Sequence, residues 1–277
     1  MLDALLDALI DSLKLIPFLF ISFLIMEALE HKSLKNAEKV IKKSKKFGPL
    51  IGGALGAIPQ CGFASLATNL YSARAITLGT LIAVYLSTSD EMLPVMLSSK
   101  ANPSVILKLL LSKLIIGIIY GCIIDFIYNK KVKKENEDYE ICEHDHCHCE
   151  KGIIYSATVH TLKTTLYVFI IVLILNVLIH LVGEDNISKI FLKDNPFAPL
   201  LSALFGLIPN CAASVMLTEL YIRGAINFAS VLAGTMTSAG VSLLVLFRTN
   251  KDKKENMRII LLLYLLGALT GFVINLF

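Results

Sequence analysis

The sequence predicts an all-α, polytopic membrane protein built as two inverted repeats, each with three crossing helices and one broken, re-entrant helix pair. Three observations carry this. Hydrophobic residues make up 55% of the 277 and charged residues only 17%, and several apolar runs approach or exceed the ~18 residues that cross a ~30 Å hydrocarbon core. The tetrapeptide Ile58-Pro59-Gln60-Cys61 returns 150 residues later as Ile208-Pro209-Asn210-Cys211. Lysine and arginine gather in a few loops, so the net charge of +4 reports topology rather than nucleic-acid binding.

The register of the duplication extends well beyond the tetrapeptide. Phe47, Pro49, Gly56, Thr68, Leu70 and Tyr71 pair with Phe197, Pro199, Gly206, Thr218, Leu220 and Tyr221 at the same offset. Two copies of one module are therefore expected, at 1–128 and 153–277, joined by a linker at 129–152.

Taken in order, residues 2–30 read as one long helix with Asp3, Asp7 and Asp11 as a polar stripe and a fully apolar part from Leu15. No charged n-region and cleavage site opens the chain, so no removable signal peptide is expected. Residues 31–46 carry seven lysines, which assigns them to the cytoplasm. Residues 47–59 form a half-helix whose Gly48, Gly52, Gly53 and Gly56 allow close approach of a neighbour. It stops at Pro59, and 13 residues rise only ~20 Å, too little to cross. A second half-helix follows at 62–73. The apolar run 75–97 is interrupted by Ser87-Thr88-Ser89-Asp90-Glu91, and Pro94 prevents a regular continuation. Residues 104–128 make a further crossing, with Lys130, Lys131, Lys133 and Lys134 at its end.

From 153 the pattern restarts: a long helix to Leu181, half-helices at 197–209 and up to Tyr221, a crossing at 225–247, a basic loop from Arg248 to Arg258, and a last span to Phe277. If each broken helix turns back at its tip, 18 Lys and Arg side chains lie inside and Lys100, Lys189, Lys193 and Arg223 lie outside. If each crosses instead, the division is 15 against 7. The re-entrant, inverted arrangement fits the positive-inside rule better. It places the linker in the cytoplasm and both termini outside. Inverted units with discontinuous helices near the midplane are the recurring plan of secondary transporters.

The chemistry concentrates at the breaks. Each break frees backbone groups that protein or a water-lined cavity must satisfy. Gln60 and Asn210 add amide donors and acceptors, and Cys61 and Cys211 add thiols suited to a thiophilic metal or metalloid. The plainer alternative is that proline and amide cap a kink while each cysteine packs as a small hydrophobe. Asp90 and Glu91, flanked by Ser87 and Ser89, cost about 3 kcal/mol each in an apolar run, so they are expected to face a polar cavity. Their counterparts are Gly240 and Val241, whereas Glu219 replaces Asn69 and is counted with the ion-binding set. A surface position at a helix N-terminus is the bland reading of the two acids.

Cys142, His144, His146, Cys147, His148 and Cys149 lie within eight residues of the linker. That density suits Zn²⁺ or a softer ion, although the spacing matches no closed zinc finger. A solvated charged tether is the alternative. His160, His180 and Cys122 read as packed or interfacial residues. Lys108 is expected to snorkel outward, and Lys113 lies deeper, without a partner that the sequence names.

Residues 47–98, through Gly56-Ala57-Ile58-Pro59-Gln60-Cys61-Gly62-Phe63, Asn69-Leu70-Tyr71, Thr77-Leu78-Gly79-Thr80 and Leu86-Ser87-Thr88-Ser89-Asp90-Glu91-Met92-Leu93-Pro94, resemble the ten-span heavy-metal exporter family. Members of that family are labelled arsenic efflux protein or manganese transporter. The similarity covers nearly the whole chain, and six crossings with four half-helices would make ten elements. It implies export of a metal or metalloid, with Gln60, Cys61, Asp90, Glu91, Asn210 and Cys211 as the matching positions.

The expected function is thus secondary transport out of the cell of an arsenite-like or manganese-like ion. Uptake of a small sulfur-containing anion, or an intramembrane thiol redox enzyme, are the other classes; catalysis is not expected. No Walker-type loop is present, so an ion gradient or another subunit would supply the energy. No cofactor is expected beyond the transported ion. The expected partners are membrane lipid, that ion and, undecided by any sequence feature, a second copy of the chain; nucleic acid is not among them.

Overall fold

The computed structural model describes residues 47–58, 61–89, 92–132 and 197–276, with short helical pieces between 9 and 24 and between 154 and 173. Among the described residues there is no strand, and ten helices can be bounded. They are α1 Gly48–Gly56, α2 Cys61–Ser72, α3 Leu78–Ser87, α4 Met92–Ser98, α5 Pro103–Val132, α6 Ala198–Gly206, α7 Cys211–Ile222, α8 Phe228–Thr237, α9 Ser242–Thr249 and α10 Lys253–Asn275. Every helix from α1 to α5 thus has a counterpart from α6 to α10 that starts 150 residues later.

Local chemistry sets the boundaries. Pro49 and Pro199 sit in the first turns of α1 and α6, where a missing N–H costs nothing. Thr77 caps α3 by accepting from Thr80 N at 3.2 Å, and Asn227 caps α8 by accepting from Ser230 N at 2.9 Å. The start of α3 is pinned further by Asp125 of α5, which accepts from Thr77 Oγ1 at 2.6 Å and from Gly79 N at 2.9 Å. In the second set the same pin is amide to amide, Asn227 Nδ2 donating to Asn275 Oδ1 at 2.6 Å. Asp252 caps α10 through Lys254 N and Glu255 N.

Packing is reciprocal. α1, α3 and α5 form one group of three, α6, α8 and α10 the other, and α3 meets α8 between them. The remaining helices cross over: α2 lies on α9, and α7 lies on α4. Gly79–Ser87 and Ala229–Thr237 are buried throughout, so α3 and α8 are the interior of the molecule. On α5 the residues Leu107, Leu111, Ile115, Ile119 and Ile123 stand exposed at every fourth position, as do Met257, Leu261, Leu265, Leu269 and Val273 on α10. An apolar ridge of that kind is what a lipid-facing helix presents. Cys122 is exposed beside the first ridge.

Among the described residues, three helical stretches are long and apolar enough to cross a membrane: Pro103–Tyr128, Phe228–Thr249 and Lys253–Asn275. The middle one is α8 and α9 together. The interruption expected within 75–97 is present, between α3 and α4, and the run at 225–247 carries an equivalent break between α8 and α9 that was not expected. At 238–241 the ladder stops where Ser238 leaves helical ψ (81°) and Gly240 takes φ 54°. At 88 Thr88 is extended, with ψ 126°.

Candidate functional site

The two tips come first. Gly56 closes α1 against the last turn of α3, and a Cβ there would run into Ser87 Oγ and Val84 O. Gly206 closes α6 against α8 in the same way, with Gly234 O and Thr237 Oγ1 in the Cβ position. The glycines therefore hold each tip on the end of the neighbouring buried helix. Asn210 is 1% exposed, and its N–H turns back to Ile208 O at 2.7 Å. Cys61 and Cys211 are the first residues of α2 and α7, directly after the breaks. Gln60 lies outside the described residues, as do the side chains of Cys61 and Cys211.

The second pair of breaks lies where those tips rest. Ser87, Thr88 and Ser89 are buried, at 1%, 3% and 1% exposure. Their hydroxyls donate to backbone carbonyls: Ser87 Oγ and Thr88 Oγ1 to Val84 O at 3.1 and 2.7 Å, Ser89 Oγ to Ser87 O at 3.1 Å. Ser89 thus serves a carbonyl past the end of the helical ladder, whereas Val84 O also accepts from Thr88 N at 3.0 Å and carries the other two hydroxyls in addition. The hydroxyl oxygens keep lone pairs with which to accept from a ligand or coordinate a cation. In the second set Thr237 Oγ1 donates to Ala203 O at 2.7 Å, which fastens the end of α8 to α6. Asp90 and Glu91 lie outside the described residues.

Lys113 joins the two sets. It is 1% exposed, and its ammonium donates to the carbonyl of Thr88 and, at 2.9 Å, to that of Thr235. One carbonyl follows α3 and the other belongs to the last turn of α8, so a single cation spans both. Sequence reasoning could not name these two carbonyls, because main-chain oxygens carry no mark in the sequence.

Glu219, expected among the ion-binding residues, pairs with Arg223 at 2.9 Å just past the end of α7, on a side chain that is 43% exposed. It stands two turns beyond the Asn210 tip, and an i,i+4 acid–base pair on an accessible helix end accounts for it. Lys108 does point outward, its ammonium 4.7 Å from the centre of the Phe228 ring.

A polar latch also went unread. Arg74 forks onto Glu255 with two bonds of 2.7 Å, Tyr71 Oη donates to the same carboxylate at 2.6 Å, and Asn250 Nδ2 adds a bond of 2.9 Å. Ser72 and Thr249 hydroxyls meet beside it at 2.8 Å. This latch ties the outer end of α2 to α9 and α10. Arg74 supplied the only hint, as a charge between two apolar runs.

Among the described residues no group of three or more His, Cys, Asp and Glu is placed to hold a metal ion. The linker set Cys142, His144, His146, Cys147, His148 and Cys149 lies outside them, as do His160 and His180.

No curated protein and no solved structure matches the chain. One family model does, over residues 1–171 and 148–277, two overlapping segments that together take in the whole chain. With its helical build and its membrane-length spans, the chain belongs to the family described as "Putative, 10TM heavy-metal exporter", a family of multi-pass membrane transporters.

Proposed function

We propose that the chain is a secondary transporter that exports a heavy-metal or metalloid ion, arsenite-like or manganese-like, with the ion held where the two tips and the two buried breaks converge. The observation that carries this reading is that convergence: the α1–α2 tip rests on the end of α3, the α6–α7 tip on the end of α8, and Lys113 links both ends. Discontinuous helices meeting in a polar spot inside an apolar body are the usual setting for a transported ion. The residues proposed to hold it are Cys61, Cys211, Gln60 and Asn210 at the tips, with Ser87, Ser89, Asp90 and Glu91 from the first buried break. Soft sulfur favours an arsenite-like ion; carboxylate and hydroxyl oxygens favour a manganese-like one.

The proposed organisation is a first repeat at 1–128, a linker at 129–152 and a second repeat at 153–277, inserted with opposite orientation. Reciprocal packing of α2 on α9 and α7 on α4 supports a two-fold relation. So does the bond from Thr270 Oγ1 to Tyr120 Oη at 3.1 Å, because these residues occupy equivalent positions and can touch only beside the axis. The lysine and arginine distribution supports an axis in the membrane plane, with the linker cytoplasmic and both termini outside. The linker cysteines and histidines would gather ion on the side from which it is exported.

The test is a metal-sensitivity panel in a deletion strain, with accumulation measured for each hit. Cys61→Ser with Cys211→Ser is expected to abolish resistance to arsenite-class ions. Asp90→Asn with Glu91→Gln is expected to weigh more heavily on manganese. Full resistance in both double variants at normal expression sinks the site. Uptake of a small sulfur-containing anion is the second reading, and the buried ammonium of Lys113 is what favours it. Growth of the deletion strain on sulfite or thiosulfate decides that case.

A further inference from the structure

Lys113 occupies its position for reasons the packing makes explicit. Gly117, one turn later on α5, brings that helix against Ala83 O and Ser87 N, which a Cβ there would meet at 3.1 and 3.4 Å. The lysine stem therefore starts beside the end of α3 and reaches past it. Ala239 N, the donor a continuing helix would aim at Thr235 O, turns instead to Thr237 O at 3.0 Å. That leaves Thr235 O open to the ammonium. Both acceptors belong to C-terminal helix ends, where main-chain dipoles sum to partial negative charge. Carbonyl oxygens converging in this way are hard ligands for a monovalent cation. At the equivalent position of the second set stands Leu263, fully buried, so an aliphatic side chain fills this place in the fold and the charge is particular to the first set.

We propose that the carbonyl ends of α3 and α8 form a monovalent-cation site whose resident ion is the protein's own Lys113 ammonium. The tethered cation holds the two sets of helices together at their centre and relieves the chain of any need for sodium or potassium there. The site would accept an alkali ion or a small alkylammonium once the side chain is removed. This rests on the transporter reading only for its place between the repeats. Melting reports on the cage whether or not a heavy metal moves, and the cysteine variants report on export whether or not the cage takes an alkali ion.

The test is melting of the purified full chain in detergent, followed by loss of the monodisperse size-exclusion peak, in lithium, sodium, potassium, methylammonium and choline chlorides at equal ionic strength. Wild type should melt alike in all five. Lys113→Ala should melt roughly 3–6 °C lower in choline and be restored by at least one of the alkali ions or methylammonium. Lys113→Met, which fills the space without charge, should be restored by none. Three results overturn the proposal: Lys113→Ala indifferent to the salt; wild type or Lys113→Met responding as Lys113→Ala does; or Lys113→Ala unobtainable in every salt while Lys113→Met folds, which would make volume rather than charge the requirement.

Discussion

Arg74 holds a left-handed backbone conformation, φ 55°, at the turn that ends α2. Its N–H donates to Tyr71 O, and the next N–H, of Ala75, reaches Leu70 O at 2.8 Å, the closing pattern of a Schellman turn. The equivalent turn after α7 uses Gly224 at φ 72°. An arginine is strained there by ~1–2 kcal/mol, and the bidentate grip on Glu255 compensates. Arg74→Ala keeps the strain and loses the grip, so a loss of about 1–3 kcal/mol in stability is expected. Arg74→Gly loses the grip and the strain together, and should melt above Arg74→Ala by the equivalent of about 1 kcal/mol. The reverse order in a detergent melt would remove the strain argument. Glu219 teaches a different lesson at this scale. Its partner Arg223 stood four residues away in the sequence, and the helix spacing rule applied there before any ion site was needed.

Between elements, the two halves solve one contact in two ways. Where α1 crosses α3, Gly48 faces Thr80 and Gly52 faces Val84. Where α6 crosses α8, the corresponding pairs are Ala198 with Ser230 and Ser202 with Gly234, and a Cβ on Gly234 would lie 2.8 Å from Ser202 O. Bulk moves from one helix to the other, and the helices stay equally close. Gly48→Ala alone should therefore cost about 1–3 kcal/mol through overpacking against Thr80. Adding Thr80→Ser removes the γ-methyl, lets the hydroxyl swing aside and should recover most of the loss. A double-mutant cycle in melting checks this; strict additivity would mean that the two positions do not interact.

At the scale of the whole molecule, the latch around Glu255 has no counterpart at the equivalent place, where Val105, Lys100 and Gly224 stand for Glu255, Asn250 and Arg74. One end thus carries a charged fastening that the equivalent place lacks. Ser72→Cys with Thr249→Cys replaces hydroxyls 2.8 Å apart and should form a disulfide that stops export until a reductant is added. Undiminished export with complete cross-linking would show that this end never opens. The tips and the 150-residue offset were legible in the sequence because proline, amide and cysteine inside apolar runs are rare and occur twice. The break at 238–241 was not, because Ser238, Ala239, Gly240 and Val241 leave the hydropathy of the run intact, and the backbone angles of Ser238 and Gly240 reveal it. The partners of Lys113 and the crossing of α2 onto α9 depend on which surfaces meet, which no local pattern states.

The ridged outer helices α5 and α10 have 30 and 23 residues, whereas every bounded helix between them has 12 or fewer. Among the described residues, two long poles rooted in the bilayer stand beside a set of short rods, each able to tilt about its own ends without dragging lipid. Rearrangement of the inner rods inside a stationary fence would leave the footprint of the protein in the membrane unchanged. Its activity should then depend little on bilayer thickness across the range that the two poles can span.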